Sequence, residues 1–386
     1  MYVRIHATSK PKLMFLASKY WCVFLNVLKN SSGSAKMLTL SSLIFDATGF
    51  AQRLACKSAS SHGPGLGSEA EQFNVVTTLT DSGDVLEMVK SVIPPLQRSK
   101  HKGQDGRLAT IGGCKEYTGA PFFAAMAALK TGCDLSHVFC AQEAAPVIKS
   151  YSPELIVHPV LDCDDAVEQT CAWLPRMHTV IIGPGLGRNE TLLKNVLAVI
   201  DRAKDLNIPM VIDADAVSEL SEHPEAIQNY TKAILTPNVV EFNRLYRNVV
   251  GHEADPREPV GNTMRLSQKL GNVTVVMKGE NDIISNGINV LVCCGDGSSR
   301  RCGGQGDILA GTMGTFTFWA HKAHADPDKE PNEFLKHFQP TLCAAYAGCL
   351  LTKRCSTLAF RKHKRSTTTS DMMSEVGQAF SLLFDE

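Results

Sequence analysis

Five consecutive residues, Gly303-Gly304-Gln305-Gly306-Asp307, stand immediately ahead of the apolar run Ile308-Leu309-Ala310. Glycines before a helix present several backbone N–H groups toward one point, and the helix dipole adds to the field there. Such a nest suits the charge of a phosphoryl group in transfer. Asp307, at the same end, is placed to take a proton from a hydroxyl that attacks phosphorus. The bland alternative is a glycine turn leading into a capped helix. Upstream, Pro237-Asn238-Val239-Val240-Glu241 sets an amide and a carboxylate three residues apart. These can orient phosphate oxygens and, through water on Glu241, a Mg²⁺ ion, which prefers few carboxylates and several waters. The same spacing is also a helix N-cap with a first-turn acid, and the pattern alone does not choose. Lys278-Gly279-Glu280-Asn281-Asp282 ends another apolar run, and its backbone can line an adenine or ribose pocket.

Other glycine and cysteine patterns narrow the chemistry. GPGLG occurs twice, at 63–67 and 183–187. The first copy follows Ser-Ala-Ser-Ser-His and reads as flexible leader. The second follows Val180-Ile181-Ile182 and precedes a helix opening at Asn189, a strand–loop–helix setting in which a ligand can approach the backbone. A tight turn without a ligand is its alternative. Neither copy is GxGxxG, and no Lys-Ser or Lys-Thr follows the glycines, so a Rossmann fingerprint and a Walker A loop are both missing. The 13 cysteines include no CxxC pair and no zinc-like Cys/His spacing. Several lie in apolar stretches (Cys133, Cys140, Cys343, Cys349), as reduced buried thiols do. Cys302 has no base near it in sequence and makes a poor nucleophile candidate.

These residues need elements to position them. Short β-rich runs at 108–112, 135–140, 155–158, 179–183, 210–213, 233–236 and 273–278 alternate with helical patterns at 120–131, 189–206 and 241–249. Continuous apolar strands alternating with helices predict a parallel sheet covered on both faces. Then 282–285 and 288–293 flank Asn286-Gly287, a hairpin signal of type I′. Helical sequence follows from Asp307, and a last helix is expected from an N-cap at Ser370 to residue 384. Asp213 and Asp215 end a strand on the site face; Asp215 has a role in orienting substrate or water, or in structural hydrogen bonding. The basic run Arg361, Lys362, His363, Lys364 and Arg365 reads as a solvated loop. The expected organisation is a leader at 1–68, a linker and leading helix at 69–94, and one domain at 95–386.

Composition agrees with a folded α/β protein. Of 386 residues 44% are hydrophobic, and the 39 basic and 39 acidic residues cancel, which disfavours a dedicated nucleic-acid binder. The cancellation hides an asymmetry. Residues 1–68 hold eight basic residues against the single acid Asp46, leaving 31 basic and 38 acidic residues for the rest. A cationic, Ser-, Ala- and Leu-rich leader suits mitochondrial import. An internal start at Met37 would give a cytosolic form. A secretory signal or a plain disordered extension are the other readings. The apolar run at 13–28 is interrupted by Lys19, so it falls short of a membrane span.

Taken together and in order, the segments resemble the ribokinase-like superfamily, whose hallmark is Asn-x-x-Glu followed by Gly-x-Gly-Asp. Tyr117-Thr-Gly-Ala-Pro121, Tyr151-Ser-Pro-Glu154, Gly183-Pro-Gly-Leu-Gly187, Asp213-Ala-Asp215, Asn238 to Arg244, Lys278-Gly-Glu and Arg300 to Asp307 are more closely similar to its NAD(P)H-hydrate dehydratase family, from about Ser99 to the C-terminus. The resemblance implies a three-layer α/β/α fold with a mostly parallel central sheet and a late hairpin. It implies ATP-dependent dehydration of the S form of hydrated NADH or NADPH, with Mg²⁺, ADP and phosphate, alongside an epimerase that interconverts the R and S hydrates. It places the hydrate against Gly185, Asn238, Val239, Val240, Glu241, Phe242, Asn243, Arg244 and Asp307. It places ATP along Lys278, Gly279, Glu280, Asn281 and Asp282 and along Gly297, Ser298, Ser299, Arg300, Arg301, Cys302, Gly303, Gly304, Gln305 and Gly306. Catalysis falls to Asp307 with the amides of Gly304 and Gly306. Three rivals stay open at this point: a vitamin or sugar kinase, a nucleotide-binding regulator, and a nicotinamide dehydrogenase. Homo-oligomerisation is likewise open.

Overall fold

The computed structural model describes residues 78–80, 83–295, 297–326 and 338–385. The expected leader, Met37 and the first GPGLG copy lie outside the described residues. The body, Phe73–Glu386, is described here by itself.

Ten strands among the described residues form one sheet: β1 (Thr78–Thr80), β2 (Arg107–Ile111), β3 (Leu135–Cys140), β4 (Ile156–Pro159), β5 (Thr179–Ile182), β6 (Met210–Ile212), β7 (Ala233–Leu235), β8 (Thr274–Met277), β9 (Asp282–Ser285) and β10 (Val290–Cys293). Their order is β1-β10-β9-β8-β7-β6-β5-β2-β3-β4. Strand β9 runs antiparallel to β8 and β10, and every other pairing is parallel. The helices are α1 (Gly83–Val92), α2 (Gly119–Thr131), α3 (Ala145–Tyr151), α4 (Ala166–Trp173), α5 (Glu190–Asp205), α6 (Asp215–Glu222), α7 (Val239–Val250), α8 (Pro259–Lys269), α9 (Gln305–Ala325), α10 (Pro340–His363), α11 (Thr369–Ser374) and α12 (Val376–Phe380).

The central strands β5 to β8 are mostly apolar because both of their faces are buried. In β5, Ile181 belongs to the core shared with α1, α2, α9 and α10, whereas Val180 and Ile182 belong to the core shared with α5 to α7. The result is the expected three-layer α/β/α sandwich. Helix α1 contributes Val85, Met88, Val89 and Val92 to the first of these cores, so the folded body begins ahead of Pro95. Helix α9 lies close on α2, since a β-carbon at Gly311 would sit 2.1 Å from the Ala124 carbonyl oxygen. Among the described residues no helix is long and apolar enough to cross a membrane.

Three local expectations are corrected. The β9–β10 hairpin exists, but its turn is not type I′: Asn286 has no positive φ, and four residues connect Ser285 to Val290. Asn286 Oδ1 instead accepts from the N–H groups of Ile288 and Asn289 at 3.1 and 2.8 Å, which supplies the reversal that a second left-handed residue would have given. The last helix is capped by Thr368, in a reciprocal box with Asp371, rather than by Ser370, and it breaks into α11, α12 and one wide final turn. The basic run at 361–365 is no loop; it ends α10 and enters a 3-10 turn, with Lys362 paired to the buried Glu375 at 2.7 Å.

The topology fixes where a ligand can sit. Strand β2 pairs with both β3 and β5, so the chain winds outward in opposite directions on its two sides. The crevice beyond the C-terminal ends of such strands is the usual ligand site of open α/β sheets. Gly112–Tyr117 and Gly183–Gly187 meet there, with the Gly113 N–H donating to the Gly185 carbonyl at 3.1 Å.

Candidate active site

Helix α9 starts in the crevice. Its N-cap, Gly304, holds φ at +93°, a conformation that glycine adopts without strain and that aims the first amides of α9 outward together. No side chain caps this end, so those donors remain for a ligand. The preceding carbonyl, of Gly303, accepts a hydrogen bond from the Thr369 hydroxyl at the start of α11. The loop is therefore held by a residue 66 positions downstream, which spacing along the chain does not reveal.

Asp307 occupies the first turn of α9 beside one cation and three other acids. Lys278, at the end of β8, donates to Asp213 Oδ1 at 2.7 Å. Asp213 lies at the end of β6, fully buried, and also accepts from the Thr236 hydroxyl at 2.7 Å. A β-carbon at Gly306 would lie 3.4 Å from Asp213 Oδ2 and 3.6 Å from Lys278 Nζ, so the glycine loop, the cation and this carboxylate share one corner. Burial, with Asp213 and Asp215 adding negative charge nearby, pushes the Asp307 carboxyl up to about 7, against the pull of Lys278. Burial also raises Glu241 and Asp215. For Lys278 burial works downward, but Asp213, Glu241 and Asp307 outweigh it and hold the ammonium charged. A carboxylate near neutrality beside amide donors has the protonation behaviour a general base needs.

The helix-cap reading of Asn-x-x-Glu is the one the contacts show. Asn238 caps α7, its Oδ1 accepting from Val240 and Glu241 N–H groups, and Glu241 Oε2 accepts from the Asn238 N–H at 2.8 Å. Glu241 Oε1 has no hydrogen-bond partner among the described residues, and its carboxylate senses the Lys278 charge. Asp215 accepts from the Gly187 N–H at 2.8 Å, a structural bond that ties the second GPGLG loop to the start of α6. At Gly185, φ is +68° and a β-carbon would meet the Tyr117 carbonyl at 2.6 Å.

A cleft of about 980 Å³ runs from α7 to α10. Its walls include Asn238, Val239, Val240, Lys278, Gly279, Glu280, Asn281, Asp282, Gly297, Ser298, Ser299, Arg301, Gln305 and Gly306, most of the expected set. Others lie outside its walls, among them Gly185, Glu241, Gly303, Gly304 and Asp307. Phe242 is buried in the core against Tyr246, and Asn243 and Arg244 are exposed one turn further along α7. Arg300 donates to the Arg301 carbonyl, and Cys302 contacts Thr369 and Gln305 side chains, so both shape the loop rather than line the cleft. Sequence reasoning missed the pairing of the Lys278 side chain with Asp213, the role of Thr369, and the face of α10 made by Cys349, Thr352, Lys353 and Ser356.

A three-layer α/β/α sandwich with a glycine-capped helix and a perturbed aspartate at its switch point is the ribokinase-like class of scaffold. Among solved structures, a ribokinase-like superfamily protein from Enterococcus faecalis superposes with a TM-score of 0.64 at 19% identity, covering 84% of this chain and all of that one. The ADP/ATP-dependent NAD(P)H-hydrate dehydratase of Bacillus subtilis, co-crystallised with ATP and Mg²⁺, does so with a TM-score of 0.57 at 21% identity, covering 76% and 97%. At these identities the likeness establishes the fold. Sequence goes further: the NAD(P)H-hydrate dehydratase family profile matches residues 108–378. The human ATP-dependent (S)-NAD(P)H-hydrate dehydratase is 53% identical over 327 residues, 84% of this chain and 92% of that protein. Its counterpart in Pongo abelii is 55% identical over 308 residues, 80% and 92% of the two chains. The chain belongs to the NAD(P)H-hydrate dehydratase family.

Proposed function

We propose that this protein restores NADH and NADPH from their S hydrates, consuming ATP and releasing ADP and phosphate. It is a hydro-lyase on a kinase scaffold. The observation that carries the residue assignment is the place of Asp307 in the first turn of α9, directly after Gly306, which stands against the Lys278–Asp213 pair.

Hydration leaves a hydroxyl on the nicotinamide ring, and hydroxide is a poor leaving group. Asp307 takes the hydroxyl proton as the oxygen attacks the γ-phosphate of ATP. The Gly304–Gly306 segment presents its amides to the transferring group, with the Lys278 ammonium alongside. Phosphate then departs with the C–O electron pair as the ring nitrogen lone pair moves in. Loss of a proton from the adjacent carbon restores the double bond. The GPGLG loop and the first turn of α7 hold the hydrate, while Lys278–Asp282 and Gly297–Gly306 hold ATP. Phe242, Asn243 and Arg244 are assigned to the hydrate only through the backbone and exposed surface of α7.

The donor set fits Mg²⁺ carried by a nucleotide: Glu241 offers a hard oxygen with one atom unengaged, and the remaining ligands would be water and phosphate. Bound there through water, the ion would neutralise charge on the ATP phosphates. The leader composition supports mitochondrial import, with translation from Met37 giving a cytosolic form. An enzyme selective for the S hydrate works fully only beside an epimerase acting on the R form.

The test mixes purified protein with hydrated NADH and follows the near-ultraviolet absorbance of reduced nicotinamide. Recovery should need ATP, stop on chelation, return with Mg²⁺, and release inorganic phosphate mole for mole. Phosphate retained on an organic product would make the protein a kinase instead.

A further inference from the structure

Helix α10 turns Cys349, Thr352, Lys353 and Ser356 toward the cleft, and their i, i+3, i+4, i+7 spacing puts all four on one face. The rest of this stretch is buried and largely apolar, including Tyr346, Leu351, Cys355 and Leu358. An inward polar stripe on such a helix needs partners. It has them in both loops expected to hold ATP. Lys353 Nζ donates to the Glu280 carbonyl at 2.6 Å and pairs with Asp282 Oδ2 at 3.3 Å. Both side chains are about nine-tenths buried, at 11% and 10% exposure. Asp282 Oδ1 accepts in turn from the Gly279 N–H at 2.9 Å, closing the Lys278–Asp282 loop on itself.

The second loop is tied to the same face. Ser356 Oγ and Ser298 Oγ share a hydrogen bond of 2.7 Å. The Lys353 stem runs beneath the glycines of that loop: β-carbons at Gly295 and Gly297 would lie 3.6 Å from its Cδ and 3.7 Å from its Cγ. An ammonium has three donors, and these two contacts among the described residues engage two of them.

We infer that Lys353 is a positioning residue for ATP: with Ser356 it sets the gap between the two nucleotide loops and supplies a cation to the cleft floor. This rests on the proposed reading of the cleft as the ATP site. It concerns ATP affinity and leaves the hydrate pocket and Asp307 untouched.

The test measures binding of MgATP by calorimetry, beside steady-state kinetics, in the full chain and in Lys353→Met, Lys353→Arg and Ser356→Ala. Loss of a buried charged hydrogen-bonding group should weaken ATP binding ~10- to 100-fold in Lys353→Met. Its kcat at saturating ATP and its KM for the hydrate should stay near wild type. Lys353→Arg keeps the charge against Asp282 and should recover most of the affinity, and Ser356→Ala should shift ATP affinity in the same direction by less. A folded Lys353→Met with unchanged ATP affinity overturns the inference, as does an equal loss of affinity for both substrates. Should Lys353→Met fail to fold, wild-type ATP affinity in Ser356→Ala overturns it as well. Wild-type protein that binds MgATP without dehydrating the hydrate defeats the proposed reaction while the role of Lys353 stands; wild-type protein that binds no ATP sinks both.

Discussion

Asp307→Asn removes one negative charge from a pocket that also holds Asp213, Asp215 and Glu241 around the ammonium of Lys278. Folding raises the Asp307 carboxyl from 3.8 to about 7. A raised folded-state value means that the native protein binds the proton more tightly than the unfolded chain does. Stability conferred by this group is therefore present at low pH and is lost as pH climbs from about 4 to about 7, with no further change above. Three units at ~1.4 kcal/mol each set an upper bound of about 4 kcal/mol. Asparagine keeps the shape and drops the charge, though its amide needs a new acceptor and gives back part of the gain, roughly 1–3 kcal/mol. Net, the variant should be about 1–3 kcal/mol more stable than wild type at pH 8 and no more stable at pH 4. Turnover should fall by ~10²–10⁴ through loss of the base. Urea denaturation at the two pH values gives the first quantity, and absorbance recovery with hydrated NADH gives the second. ATP binding should survive. Near-normal turnover would remove Asp307 from the base position, and a variant less stable than wild type at pH 8 would refute the burial argument.

Two further outcomes follow from the same corner and its neighbour. In wild type kcat/KM should rise through an acid limb centred near pH 7, because only ionised Asp307 accepts the proton. Asp213→Asn should move that limb to lower pH and Lys278→Met to higher pH; a limb near pH 4 that neither variant shifts would sink the assignment. Gly185→Ala forces a β-carbon to within 2.6 Å of the Tyr117 carbonyl at φ +68°, which should cost about 1–3 kcal/mol and raise KM for the hydrate more than for ATP. Denaturation and paired KM measurements check it, and an alanine variant indistinguishable from wild type would show that the loops do not meet.

Strands β5 to β8 were readable because burial on both faces makes each a short, mostly apolar run, and β9 and β10 because they flank Asn286-Gly287. Strand β1 has three residues and no such run, so its pairing with β10 left no trace in pattern. The β9–β10 turn was misread for a local reason: Asn-Gly signals two left-handed residues, but here the Asn286 side chain closes the turn and only Gly287 needs positive φ. In the site, contiguous chemistry such as Gly303 to Asp307 was visible, whereas pairings across the sheet were not. Lys278 and Asp213 are 65 residues apart, and Lys353 and Glu280 are 73 apart. A faint sign of Lys353 did exist. Thr352, Lys353 and Ser356 are polar at helical spacing inside a helix whose other positions are mostly buried.

The acidic balance of residues beyond the leader bears on how this site works. A protein that binds two polyanions would be expected to line the pocket with cations, yet the corner beside the glycine loop holds Asp213, Asp215, Glu241 and Asp307 against Lys278. Four carboxylates would repel ATP if all were charged and close to its phosphates. Burial raises Asp215 and Glu241 and lifts Asp307 to about 7, and Lys278 is engaged by Asp213. Under the proposed reading, much of the phosphate attraction then falls to groups that carry no titratable charge, the amides of α9 behind Gly304, with the Lys278 and Lys353 ammoniums beside them. This division has a chemical consequence. A lysine-lined pocket would hold a carboxylate fully ionised and weakly basic, whereas an acid-lined one keeps Asp307 at about 7, where the base proposed for this reaction could take the hydroxyl proton during transfer and release it afterwards.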